Sequence, residues 1–429
     1  MNDSTEPHTD DEATAADQFF DTNEWKKHDN HIFILSSAGK PVYSRYGCED
    51  KLVTLFGVMQ ALVSFVQDSD DSIQAIYAGK SLVVFLIRGP IILVSVSRSK
   101  ESVQHLSDQL TYVYNQVVSV LTLTQVTRIF EQRRNYDLRR LLTGSERLIN
   151  HLLDFTENEP EFTMNSVCCL PLSSSVRETI SNAIISCCSK IKNLVFGILI
   201  TGNRLITLVR LKKYHLKPCD LHLIFNMVSG SESFKTAENW TPICLPNFDS
   251  SGFLHAHVSY LADDCQACLL LLTVDKDLFF PLSAAKKNIV KVLRRTQCLD
   301  AINKALKTPL SVPDDIQTVH HFLYKCKKTS QMLAPAMTTP YHTTESANEL
   351  LKQYEEMHSA IHQVGAPLNL IFQHTCTEIM LGWVNDNFEI YITFKPLISK
   401  SNCIEAVDKI LKWIQKEEDK LFMLNMPTF

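Results

Sequence analysis

The sequence predicts an α+β protein made from a repeated unit, each a five-stranded, mainly antiparallel sheet flanked by helices. Two observations carry this. Apolar runs of strand length and helical patterns follow one another as strand, strand, helix, three strands, helix, and that order occurs near both ends of the chain. A length of 429 residues, 45% hydrophobic and 21% charged, exceeds one ordinary core and calls for two to four domains.

The first unit opens with "HIFILSS" (31–37), turns at "AGK" and returns as "PVYSRYG" (41–47), a hairpin pattern. Helical spacing follows over 48–68. "IQAIYAG", "LVVFLIR" and "IILVSVS" are further strands, separated by Gly79-Lys80 and Gly89-Pro90. Helices over 100–120 and 123–142 close the unit. At the other end, strands over 318–327 and 330–337 precede a helix over 345–363. "LNLIFQH", "EIMLGWV", "FEIYITF" and a helix over 403–424 complete that copy. In the last helix Ile404, Val407, Ile410, Leu411 and Ile414 make an apolar stripe, and Glu405, Lys409, Lys412, Lys416 and Glu417 face away.

The middle carries similar ingredients in a less clear order. "FTMNSVCCLPL" reads as strand, "SSVRETISNAIISCC" as helix, and "LVFGILI" with "LITLVRL" as a hairpin about "TGN". A helix around "DLHLIFNMV", strands "WTPICLPNF", "GFLHAHVSYL" and "ACLLLLTV", and a basic helix over 279–297 follow. This is a third copy, elaborated or permuted. The organisation is then an acidic tail (1–25), a first domain (26–143), a connecting helix (144–159), a second domain (160–310) and a third (311–429).

The net charge of −5 hides an asymmetry. Residues 1–25 hold eight acids (Asp3, Glu6, Asp10, Asp11, Glu12, Asp17, Asp21, Glu24) and no Lys or Arg, so removing them takes the net to +3. With so few large apolar groups the tail is expected to be disordered, either as a solubilising segment or as an autoinhibitory docking one. From 179 to 219 there are seven basic residues (Lys190, Lys192, Arg204, Arg210, Lys212, Lys213, Lys217) and no acid. The helix beginning near 279 adds Lys286, Lys287, Lys291, Arg294 and Arg295, and 128–140 carries Arg128, Arg133, Arg134, Arg139 and Arg140. Such clusters suit anionic headgroups or an acidic partner, or are simply solvated faces. Without a nucleic-acid reading motif and with a pI near 6.3, nucleic acid is not an expected partner.

Chemistry-bearing motifs are sparse. G-x-x-x-x-G-K-[ST], G-x-G-x-x-G and G-x-S-x-G are all missing, so phosphate-cradling loops and nucleophile elbows are unsupported. The 13 cysteines include the adjacent pairs Cys168-Cys169 and Cys187-Cys188, a poor disulfide framework, and read as reduced small hydrophobes of an intracellular protein. Cys265 and Cys268 form the one CxxC, without a second pair to complete a zinc site. His255 and His257 share a strand face, and His374 lies close to Cys376; each set reads as structural, with a thiol or metal enzyme as the competing possibility. No cofactor is expected. No apolar run approaches the length needed to span a bilayer, and the N-terminus lacks a signal-peptide pattern.

"CEDKLVTLFGVMQALVSFVQD" (48–68) is the unusual segment. Leu52, Leu55, Phe56, Met59, Val63 and Val66 make one helical stripe; Val58, Leu62 and Phe65 extend it beyond the width a sheet-packed helix needs. Thr54, Gly57, Gln60, Ala61 and Ser64 give the rest a small-residue surface. Either residues 100–142 cover this helix entirely, or its second face meets something else.

"AGKPVYSRYGCEDKLVTLFGVMQALVSFV" (38–66), "LLTGSERLI" (141–149) and "ENWTPICLPNFDSSGFLHAHVSYL" (238–261) resemble the Mon-one/SAND family of vacuole-fusion proteins, and the resemblance runs from about residue 30 onward. It implies three longin domains in tandem and an obligate heterodimer with a Ccz-one-type longin protein. It also implies guanine-nucleotide exchange, without covalent or metal chemistry, on a late-endosomal or vacuolar Rab GTPase of the Rab-seven class. Binding to anionic phosphoinositides, a role in autophagy and lysosomal fusion, and a cytoplasmic location peripheral to endosomal and late-endosomal membranes follow from the same likeness. Under it, Val58, Leu62 and Phe65, with Thr54 and Ala61, belong to the partner- and Rab-binding surface; the strand pair 31–47 is the alternative contact. Lys190, Lys192, Arg210, Lys212, Lys213, Lys286 and Lys287 are the lipid-binding candidates. The competing function is a non-catalytic longin adaptor for SNAREs or coat proteins.

Overall fold

The computed structural model describes residues 27–47, 52–99, 101–133, 135–313, 316–375 and 377–429. The acidic tail, the start of the 48–68 segment and Cys376 lie outside the described residues. The chain forms two compact units. One runs to Tyr114 and includes Gln125–Glu146; the other comprises Asn115–Thr124 and Arg147–Phe429.

In the first unit β1 (Asn30–Ser36) and β2 (Pro41–Ser44) form the expected hairpin, followed by α1 (Val53–Gln67), β3 (Ala75–Ala78), β4 (Ser81–Arg88) and β5 (Ile91–Ser97). The antiparallel sheet runs β2-β1-β5-β4-β3, so β1 and β5 pair centrally although the helix and two strands separate them in sequence. Alternation puts Phe33, Leu35, Phe85, Ile92 and Val94 on one face, where Leu52, Phe56, Met59 and Val63 complete the core. Ile32, Ile34, Val84 and Leu93 on the other face are buried too. α2 (Val103–Leu121) follows. The helix expected over 123–142 is broken into α3 (Leu123–Gln132) and α4 (Arg139–Leu142). Asp137 explains the break: its carboxylate accepts from the Arg139 backbone N–H (3.1 Å) and guanidinium, a local arrangement that competes with helix.

The second unit begins its own elements with α5 (Glu146–Asn158), α6 (Pro160–Thr163) and β6 (Val167–Cys168), then α7 (Ser174–Cys188). Next come β7 (Leu194–Thr201), β8 (Arg204–Arg210), α8 (Pro218–Ser229), α9 (Ser233–Thr236), β9 (Asn239–Leu245), β10 (Asp249–Ala262), β11 (Cys265–Thr273), α10 (Phe279–Arg295) and α11 (Cys298–Lys307). Sheet order β8-β7-β11-β10-β9 repeats the first domain's strand for strand, so the middle copy is elaborated by α7 and not permuted. Of "FTMNSVCCLPL" only Val167–Cys168 is strand.

The third copy holds β12 (Val319–Cys326), β13 (Gln331–Leu333), α12 (Thr344–Ile361), β14 (Leu370–His374), β15 (Ile379–Val384), β16 (Phe388–Phe394), α13 (Lys400–Lys416) and α14 (Glu418–Leu421). The helix expected over 403–424 is thus two helices, the second ending in extended chain at Phe422. Its sheet has six strands where five were expected, because β6 adds in parallel to β13 (Gln331 opposite Val167).

The second and third domains exchange backbone. While β6 joins the third sheet, Arg210 of β8 bonds in parallel to the segment near Thr428: its N–H donates to Pro427 (3.1 Å) and its carbonyl accepts from Phe429 (3.1 Å). Leu421 and Phe422 lie in the third core, whereas Met423 lies in the second. Gln331 fixes the crossing by donating to the Met423 carbonyl (2.8 Å) and accepting its N–H (2.7 Å).

Arg177 on α7 locks the same seam. Its buried guanidinium donates to the carbonyls of Ile206 (2.6 Å), Leu170 (3.0 Å) and Lys420 (3.3 Å), so peptide dipoles rather than a carboxylate solvate the charge. Arg177→Met keeps most of the apolar stem but strips two buried carbonyls and one partly buried one of a charged donor. A loss of about 2–4 kcal/mol is expected, since each such group costs ~1–3 kcal/mol and water recovers part. Urea unfolding measures it; a loss below about 0.5 kcal/mol, the level of an ordinary surface change, would refute the assignment.

Candidate functional site

Fifteen residues of α1, "VTLFGVMQALVSFVQ", carry no charge at all. At 100° per residue Phe56, Met59 and Val63 point to the sheet and are buried. The opposite direction collects Thr54, Gly57, Val58, Ala61, Leu62 and Phe65, all exposed. Phe65 is 75% exposed, Val58 52% and Leu62 39%, with Val53 beside them at 53%. Among the described residues of the first unit, 101–114 and 125–142 therefore do not cover this face. The two apolar sides are separated by half a turn, which is why one helix satisfies its sheet and still presents Phe65.

The topologically equivalent helices treat that outer face differently. On α8, eight of twelve residues are buried, including Asp220, His222 and Asn226. There Asn226 donates to Gln116 (2.8 Å) and to the Leu148 carbonyl (2.9 Å), and its Oδ1 meets His151 Nδ1 at 2.7 Å. On α12 the outer residues are charged, with Glu345, Glu349, Lys352 and Glu356 among them. One outer face is covered by protein, one is built for water, and the α1 face matches neither. Isolated exposed apolar residues need no cause, but a contiguous uncharged set does. The strand pair 31–47 presents β2 as one edge of its sheet; the opposite edge, β3, exposes Tyr77 to 77%.

The basic candidates divide. Phe196 pairs with Arg210, and the Leu211 N–H donates to Val195 (3.0 Å). That register brings Lys190 and Lys192 before β7 and Lys212 and Lys213 after β8 to one end of the hairpin, all four exposed. Arg210 is half-buried and holds this corner, donating to the carbonyls of Lys212 and Tyr214 (2.8 Å each). Lys286 is not free for a headgroup: its Nζ lies 3.3 Å from Glu238 Oε1, and Glu238 Oε2 is 3.2 Å from His257 Nε2. Hydrogen bonds from Ser283 and His257 and the Lys286 charge hold the Glu238 carboxyl below its usual range against the opposing effect of burial. Lys287 is exposed on α10. The Glu238 pairing, forty-eight residues away in sequence, had no local signal.

Cys265, Cys268, His255 and His257 have packing roles in the second domain. Cys268 faces the core containing Phe196 and Ile198, Cys265 the core containing Ile180 and Leu282, so the CxxC pair points to opposite sides of one sheet. Burial pushes the Cys268 thiol up to about 12, leaving little thiolate. His255 stacks on Trp240 (5.7 Å between ring centroids) while His257 is buried against Glu238.

Three copies of one five-strand order, each with a helix across the sheet, define a class: the tandem longin-domain proteins. Family models for the first, second and third longin domains of FUZ, MON1 and HPS1 match residues 30–152, 192–291 and 318–418. The chain belongs to the MON1/SAND family of vacuolar fusion proteins. It is 46% identical over 411 residues to Vacuolar fusion protein MON1 homolog A of Gallus gallus, covering 94% of this chain and 74% of that one. Identity to the Homo sapiens homolog A is 42% over 423 residues, 97% of this chain but 64% of the relative's length. Protein SAND of Takifugu rubripes is 42% identical over 430 residues, with coverage of 99% and 82%. Among the described residues no helix is long and apolar enough to cross a membrane.

Proposed function

We propose that this chain is one subunit of a heterodimeric guanine-nucleotide exchange factor acting in vacuolar and lysosomal fusion. Its other half is a Ccz-one-type longin protein, and its target a late-endosomal Rab GTPase of the Rab-seven class. The observation that supports this most is the uncharged outer face of α1, with Val58, Leu62 and Phe65 exposed and Thr54 and Ala61 small enough to let another backbone approach. Exchange needs no nucleophile or metal. It needs a surface that binds the nucleotide-free GTPase better than the loaded one, because only that difference speeds release.

Lys190, Lys192, Lys212 and Lys213 supply the membrane contact in this reading. Four exposed cations on one sheet corner suit an anionic phosphoinositide surface, at about 1 kcal/mol each near the lipid. The protein then works on endosomal and late-endosomal membranes, in their maturation and in autophagy, from the cytoplasmic side. Release of a fluorescent guanine nucleotide from a purified Rab-seven-type GTPase tests the reading. Acceleration is expected with this chain and its Ccz-one-type partner together and not with either alone. No acceleration by a folded, verified heterodimer would put the adaptor function in its place.

A further inference from the structure

The third domain holds a donor cluster unrelated to the surfaces above. α12 is started firmly: Thr343 Oγ1 accepts the Ser346 N–H (3.2 Å), and the Ser346 hydroxyl closes the box on the Thr343 N–H (3.3 Å). Four residues apart at its other end stand His358 and His362, the second at the C-cap with its N–H on the His358 carbonyl (2.9 Å). That spacing turns both imidazoles to one side, their ring centroids 4.4 Å apart. β16 delivers the third group. Glu389 sits directly opposite Lys325 of β12, its side chain 4% exposed, and points at the helix.

Glu389 divides its two oxygens. Oε1 accepts from Lys325 Nζ at 3.2 Å, while Oε2 lies 3.2 Å from His362 Nε2 and 3.9 Å from His358 Nε2. The three donor atoms lie within 4.8 Å of one another. Tetrahedral zinc, with bonds of ~2.0–2.1 Å to nitrogen and carboxylate oxygen, sets its ligand atoms about 3.3 Å apart. The observed spacings bracket that value, so a cation fits with sub-ångström side-chain adjustment. Two imidazoles with one carboxylate suit zinc better than calcium or magnesium, which prefer all-oxygen shells. The histidine side chains are 20% and 36% exposed, which leaves an approach for the ion and a position for water as fourth ligand.

We propose that His358, His362 and Glu389 form a zinc site that pins the C-terminal end of α12 to β16. Lys325 is its outer partner, orienting the carboxylate through the oxygen the metal does not use. The ion sits at the start of the exposed 363–370 segment, where Val364 is 86% and Leu370 58% exposed, and fixes where that segment leaves the helix.

The test uses the full chain, freed of metal by a chelator and titrated with Zn²⁺, then with Co²⁺ as a visible probe. One saturable zinc equivalent is expected, and intense cobalt d–d absorption of tetrahedral character. His362→Gln alters a partly exposed group, so the fold survives; it and His358→Asn should each weaken binding about 10-fold or more, with the cobalt bands collapsed. Circular dichroism confirms folding of each variant. No saturable zinc binding by the folded chain, or a site whose affinity and cobalt spectrum are unchanged in His362→Gln, would overturn the proposal.

Discussion

In the exchange complex proposed above, with Phe65 at the centre of the proposed interface, Phe65→Glu is expected to lower nucleotide release at least about 30-fold, the factor for ~2 kcal/mol lost there. The ring is 75% exposed, so its removal opens no cavity in the chain itself, and unfolding should shift by less than about 0.5 kcal/mol. A glutamate there must be desolvated against Val58 and Leu62 on forming the complex, and it acts through interface burial alone. Gln67→Glu is the control: exposed, on the same helix and carrying the same new charge, it sits off the apolar strip and should exchange normally. If Phe65→Glu exchanges at the parent rate, the α1 face is not the contact. If it loses only the partner subunit, the face serves subunit pairing and the GTPase binds elsewhere.

The second large effect is on stability in mild acid. His222 and His321 are buried, and burial lowers both imidazoles to about 4. His222 Nε2 donates to the Ser166 carbonyl at 2.8 Å. At His321, Nε2 donates to the Pro335 carbonyl (3.1 Å), and Nδ1 accepts from the Tyr354 hydroxyl (3.2 Å), which itself accepts from Thr393 (2.9 Å). A second ring proton there would face a donor. The folded state therefore stays neutral at these sites while the unfolded chain protonates from about pH 6.5. Stability is full above 6.5 and falls as pH drops toward 4, approaching about 1.4 kcal/mol per pH unit for each histidine. His257, lowered by burial in the same direction, adds to the trend. Urea titrations at pH 7.5, 6.0 and 5.0 measure the slope. His222→Phe and His321→Phe should start less stable but with shallower pH dependence; equal slopes in all three chains would exclude these residues as the cause.

Much of the first domain is readable because glycine-marked turns cut its apolar runs cleanly, as at Gly79 and Gly89. Both have positive φ, +62° and +56°, a conformation the absent Cβ makes easy. The middle domain is harder to read because α8 is apolar on nearly every side, so its periodicity says little about where the repeat starts. β6 lies within a run read as strand, but its shortness and its place in the third sheet escape, because its partners Gln331 and Met332 lie far along the chain. For the sites, α1's surplus apolar face is visible as a width that sheet packing does not need. The commitment of Lys286 to Glu238 and the meeting of His358 and His362 with Glu389 are tertiary facts. In "HSAIH" a histidine pair is evident only once β16 supplies the acid.

The exchanged strands between the second and third domains bear on how this chain can be divided. The middle domain's β8 is completed by residues 427–429, and the third domain's sheet by residues 167–168, so neither is encoded by a continuous block of its own. A fragment ending near 310 leaves Arg210 without its neighbour and Met423 missing from the core; one beginning near 311 exposes β13 as a raw edge open to foreign strands. Contacts of this sequence separation also form late, since the intervening loop must be ordered first. The smallest autonomous piece of this region is thus both domains together, and recombination that swaps either alone would break the other.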